Sequence, residues 1–96
     1  MITMNQLKKK RKGILDLASR HGALDIRVFG SVARGKAKKN SDIDFLVRFE
    51  PERSLLDMVA FELELQTLLK SKVEVLDEEG LSPYLRVGIL SEALAL

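Results

Sequence analysis

Cysteine and tryptophan are both absent from these 96 residues. Without cysteine there is no disulfide framework, no zinc ribbon and no thiol nucleophile. Only five residues are aromatic, and none is interleaved with basic residues, so modules that stack nucleic-acid bases are not expected. No apolar run approaches the roughly 18 residues that would span a bilayer. The stretch Ile14-Leu15-Asp16-Leu17-Ala18 is too short and too interrupted to be a signal-peptide core. Proline occurs twice, and no repeat, low-complexity tract or Pro/Gly-rich linker marks a boundary, so a single domain spanning 1–96 is expected. A small, soluble, cytoplasmic domain with a thin core is therefore expected.

What is present is charge, unevenly placed. Residues 1–40 carry eleven Lys/Arg against two Asp/Glu, net +9, and residues 41–96 carry five against twelve, net −7. The basic half suits phosphates, and the acidic half suits metal ions or a basic partner.

The periodicity predicts a helix over 5–21, capped by Asn5 and ended by Gly22, with Leu7, Ile14, Leu15 and Ala18 inward. Strands are predicted over 25–29, 42–49 and 73–76. Phe45-Leu46-Val47 in the second strand implies burial on both faces. Ser54 opens a helix to about Leu69, with Leu55, Met58, Val59, Leu65, Leu68 and Leu69 inward. Ser82-Pro83 opens a last helix with a buried stripe of Leu85, Ile89, Leu90, Ala93 and Leu94. The order α-β-β-α-β-α reads as an α/β (α+β) fold, a small mixed β-sheet flanked by helices.

Two features carry chemistry. Gly30-Ser31 follows a strand directly, where glycine lets the backbone approach a ligand and Ser31 offers a hydroxyl and an amide to phosphate oxygens. Asp42 and Asp44 stand two apart on a strand, so their carboxylates share a face while Ile43 points into the core. Side by side they repel and would prefer protonation or a shared hard cation, Mg²⁺ or Mn²⁺. Taken separately, either feature also fits ordinary structure: a turn, or an exposed strand start.

Their spacing joins them. Gly30-Ser31, ten residues, then Asp42-Ile43-Asp44 is similar to the signature of the DNA polymerase β nucleotidyltransferase superfamily. The fuller run, Gly30-Ser31-Val32-Ala33-Arg34-Gly35 with Ser41-Asp42-Ile43-Asp44-Phe45-Leu46-Val47, resembles the minimal nucleotidyltransferases over Leu7 to Leu96. The resemblance implies a polymerase β-like fold and two Mg²⁺ ions held by Asp42, Asp44 and a third carboxylate. By position the third is Glu74, where that family usually has Asp. It further implies that Gly30, Ser31 and Arg34 hold the β- and γ-phosphates of ATP. The implied activity is transfer of AMP from ATP to a tyrosine of a HEPN-type toxin, with this chain as the antitoxin. No further domain for the acceptor is expected within 96 residues, so the acceptor site is expected from the partner or from a homo-oligomer. A non-catalytic antitoxin that neutralises by binding is the rival reading, kept open by Glu74. A nucleic-acid module built on Lys8–Lys12 and Lys36–Lys39 is a third, less expected one.

The remaining residues have structural readings. His21 suits a helix C-terminus, Tyr84 a half-buried helix position, and Asp77-Glu78-Glu79 a solvated turn.

Overall fold

The computed structural model describes residues 2–96. The chain forms α1 (Met4–Lys9), α2 (Arg11–His21), β1 (Ala23–Phe29), α3 (Gly30–Ala33), β2 (Ile43–Phe49), α4 (Leu55–Leu69), β3 (Val73–Asp77), a 3₁₀ turn (Glu78–Gly80), α5 (Pro83–Glu92) and β4 (Leu94–Ala95). The strands make one mixed sheet in the order β3-β2-β1-β4. β1 runs antiparallel to β2 and β4, while β2 and β3 are parallel, joined through the crossover helix α4.

The two sheet faces differ. Ile43, Phe45 and Val47 of β2 line one face with Val28 of β1 and Val73 and Val75 of β3, under the helix pair α2 and α4. Phe61 and Leu65 of α4 and Ile14 of α2 are fully buried in this layer. The opposite face carries Phe29, Asp44, Leu46 and Glu74, and α5 covers part of it from the β1 side. Leu46 is fully buried there, as a strand covered on both faces requires.

Several expected elements shift. The helix predicted over 5–21 breaks at Lys10 into α1 and α2, and the cap is Thr3 rather than Asn5. Thr3 and Gln6 form a reciprocal capping box, each accepting the other's backbone N–H. Gly22 ends α2 in the left-handed conformation, as expected. β1 begins at Ala23, two residues early, and β2 begins at Ile43, which leaves Asp42 on the preceding loop. Ser54 and Ser82 cap α4 and α5 as expected, with Pro83 at the start of α5.

The inward faces are also corrected. Leu55 and Val59 are exposed on α4, and Phe61 takes the central core position instead. Leu-rich on several sides, α4 has no single stripe to fix its phase; the fit of Phe61 beneath the sheet decides it. Leu85 and Leu94 are likewise exposed, and α5 buries no residue fully. Tyr84 lies in solvent at 95% exposure. Among the described residues, no helix is long and apolar enough to cross a membrane.

Candidate active site

Strand register assembles the site. Pairing of β1 with β2 sets Phe29 opposite Asp44, so the Gly30-Ser31 turn emerges beside the aspartate pair. Parallel pairing of β2 with β3 sets Asp44 against Glu74, on neighbouring strands about 4.8 Å apart and on the same face. Asp44, Glu74 and the Gly30-Ser31 turn thus meet at one end of this face, and Asp42, on the loop before β2, is close enough for its charge to act on Asp44.

Gly30 is required twice over. Its φ of +76° lies where side chains are strained. A Cβ built there would overlap the Asp44 carboxylate, so the glycine lets that carboxylate lie directly on the backbone. Gly30→Ala is expected to displace the carboxylate and cost about 1–2 kcal/mol of stability through the positive φ. Thermal melts measure the second effect, and loss of Mg²⁺-ATP binding in calorimetry measures the first.

The electrostatics centre on Asp44. Its pKa rises from 3.8 to about 6, first through burial and then through the negative charges of Glu74 and Asp42, with Arg34 opposing. No protein hydrogen bond reaches its carboxylate among the described residues. A half-buried acid held against two like charges is relieved either by protonation or by a nearby cation. Among the described residues, no three carboxylates converge into a finished metal cage. The donor set nevertheless fits Mg²⁺, which is commonly held by one or two carboxylates and completes its shell with phosphate and water oxygens.

The side formed by the Gly30-Ser31 turn and Arg34 is more elaborate than the sequence suggested. Ser31 is half-buried at the start of α3, and its hydroxyl meets no protein partner among the described residues. Arg34 pairs with Glu92, the last residue of α5, through Nη1 to Oε2 at 3.0 Å. Glu92 also accepts the Gly30 N–H at 3.0 Å. That amide and the Arg34 guanidinium hold the Glu92 carboxyl below the usual range. Sequence reasoning missed Glu92, although it is the only acid after Glu79 and stands among apolar residues.

Other candidates have different settings, although the Lys36 N–H donates to the Ser31 carbonyl at 2.8 Å. Lys8 to Lys12 are all exposed, and so are Lys36, Lys38 and Lys39. His21 pairs with Glu64 near the end of α2, a structural role. Glu78, expected in a solvated turn, is instead buried and ion-paired with Arg27 and Arg86. It ties the 3₁₀ turn and α5 to β1.

Comparison with known proteins agrees with this architecture. The sequence model of the nucleotidyltransferase domain family matches residues 7–96. The protein adenylyltransferase MntA of Thermococcus cleftensis is 38% identical over 79 residues, 82% of this chain and 80% of that one. A Methanocaldococcus jannaschii protein assigned as a protein adenylyltransferase is 39% identical over 93 residues, 97% of each chain. A solved structure assigned as a minimal nucleotidyltransferase superposes with a TM-score of 0.88 at 46% identity, covering 99% of this chain and 97% of that one. A toxin–antitoxin crystal structure with AMP-PNP shares the fold at a TM-score of 0.76 and 23% identity, covering 88% of this chain and 69% of that one. With its family signature seated on a matching fold, this chain belongs to the nucleotidyltransferase domain family, in the minimal form.

Proposed function

We propose that this nucleotidyltransferase moves AMP from Mg²⁺-ATP to a tyrosine hydroxyl of a HEPN-type toxin, as that toxin's antitoxin. The observation that carries the reading is the convergence of Asp44, Glu74 and the Gly30-Ser31 turn through strand register. Relatives named as protein adenylyltransferases, and similar folds solved as toxin–antitoxin pairs, support the acceptor class.

Asp42, Asp44 and Glu74 would hold two Mg²⁺ ions, with Mn²⁺ as a substitute. Bound there, the metal would neutralise phosphate charge and lower the pKa of the acceptor hydroxyl. Ser31 and Arg34 would orient the β- and γ-phosphates, while Gly30 keeps the backbone clear for Asp44. Glu74, open to solvent on the edge strand, would take the phenolic proton as the tyrosine oxygen bonds to the α-phosphorus. The α–β phosphoanhydride bond breaks in the same step and pyrophosphate leaves. The contribution of the chain is positioning and charge rather than a covalent intermediate.

Glu74 is exposed on the edge strand β3, and α5 covers this face only from the β1 side, which fits an acceptor brought by a partner. Leu55, Leu56, Val59 and Leu63 on α4 and Tyr84, Leu85 and Val87 on α5 are exposed, the kind of apolar surface that partners cover.

Incubation with α-labelled ATP, Mg²⁺ and the cognate toxin should place label on the toxin. In cells, co-expressing the toxin with the Ser31→Ala, Asp44→Ala double variant should leave the toxin active. Protection equal to wild type would instead establish neutralisation by binding alone.

A further inference from the structure

Glu92 joins the C-terminal helix to the candidate phosphate site through a single side chain. Its Oε1 accepts the Gly30 N–H at 3.0 Å and Arg34 Nη1 at 3.2 Å, and its Oε2 accepts the same Nη1 at 3.0 Å. The guanidinium is therefore held by one nitrogen. Of its five N–H donors, the three on Nε and Nη2 meet no protein acceptor among the described residues. A carboxylate that blocked Arg34 would be expected to take the two-nitrogen fork. This one grips a corner and leaves the opposite edge free.

The Gly30 contact has a second consequence. That amide heads the Gly-Ser turn and is already committed to Glu92, so it is not a free donor for phosphate. Groups still open include the Ser31 hydroxyl and the unpaired edge of Arg34. Both adjoin α3, and Glu92 fixes the geometry of each: Ser31 through the preceding peptide, Arg34 directly. Arg34 is half exposed, with its side chain 50% accessible, so without that anchor its long side chain would sample many rotamers.

We propose that Glu92 is a positioning residue for nucleotide binding, which holds the Gly30 peptide and aims the free edge of Arg34 at the β- and γ-phosphates. The proposal rests on the nucleotidyl-transfer reading above. Glu92 itself touches no substrate. It acts through Arg34, and its value lies in ordering that side chain before ATP arrives. Ordering one rotamer-rich side chain on binding corresponds to roughly a two- to ten-fold change in affinity.

Glu92→Gln preserves shape and removes the charge that holds Arg34. Calorimetry with Mg²⁺-ATP should show binding weakened roughly three- to ten-fold relative to wild type. The same substitution made in an Arg34→Ala background should add almost nothing, because the glutamine oxygen can still accept the Gly30 N–H and the side chain that needs the charge is gone. Glu92→Asp should fall between wild type and Glu92→Gln. A residue that merely fastened α5 would give the same penalty in both backgrounds, and that result overturns the proposal alone. Tighter ATP binding by Glu92→Gln also overturns it, since the carboxylate would then be a competitor for the phosphate seat. Failure of the wild-type chain to bind Mg²⁺-ATP would remove the nucleotidyl-transfer reading and this proposal together.

Discussion

Asp42→Asn combined with Asp44→Asn is expected to give no measurable Mg²⁺-ATP binding in calorimetry, yet to melt above wild type when metal is absent. The first effect follows from removing two of the three carboxylates available to a cation. The second follows from what those carboxylates do to one another. Asp44 titrates near 6 in the folded chain against an ordinary 3.8, because burial and the neighbouring charges of Glu74 and Asp42 penalise its ionised form. The folded state thus binds this proton more tightly than the unfolded state does. The stabilising contribution of protonated Asp44 is complete below pH 3.8 and is lost as pH rises through about 6. Asparagine stays neutral at every pH. The variant should therefore match wild type near pH 4 and exceed it increasingly toward pH 7. After discounting for solvent screening of a half-buried group, the gain at neutral pH is about 1 kcal/mol, or a few degrees in Tm. Saturating Mg²⁺ should reverse the order, raising the wild-type Tm and leaving the variant unmoved. Unchanged Mg²⁺-ATP affinity in the double variant would end the metal-dependent reading.

The parts of this molecule that were legible in the sequence are those in which local chemistry and tertiary demand agree. Gly22 ends α2 because few other residues take the left-handed conformation there readily, and Ser82-Pro83 starts α5 because both residues suit a helix N-terminus. The apolar run of β2 declared a strand buried on two faces. The spacing from Gly30-Ser31 to Asp42-Asp44 was readable because it is a constraint of backbone geometry: one hairpin-like return must bring Phe29 opposite Asp44.

The illegible parts depend on contacts distant in sequence. The early start of β1 is hidden by a bulge, in which Asp25 adopts φ 53° and an extra residue interrupts the alternation between Leu24 and Arg27. The phase of α4 is settled by Phe61 beneath the sheet and not by its evenly spread leucines. β4 is two residues long and exists only because β1 offers it an edge. Glu78 reads as one of three acids in a turn until Arg27 and Arg86 close on it. Glu92 stands out as a lone acid among apolar residues, but nothing local names its partners, since Gly30 and Arg34 lie 62 and 58 positions away.

Glu74→Gln carries the largest expected effect on turnover. The residue lies on the edge strand β3, in register with Asp44 and open to solvent, where an incoming hydroxyl can reach it. Glutamine keeps its length and shape but can neither hold a cation well nor accept a proton. If Glu74 does both, AMP transfer should fall by roughly 10²–10⁴-fold, the range typical of a lost acid–base group. ATP affinity should change far less, because on this reading Asp42 and Asp44 would still hold the metal of the triphosphate. Glu74→Asp shortens the side chain by about 1.5 Å, one carbon–carbon bond, and supplies the residue usual in the family, so activity should persist or rise. An ordinary exposed strand glutamate predicts instead that both variants stay within about twofold of wild type. Asp77 cannot take over the role. Three residues further along β3, it falls on the opposite face, about 10 Å away along the strand, where its carboxylate caps the backbone N–H of Glu79. Full activity in Glu74→Gln would therefore leave Asp42 and Asp44 as the only carboxylates this chain supplies to the reaction, and would assign the proton acceptor to the partner.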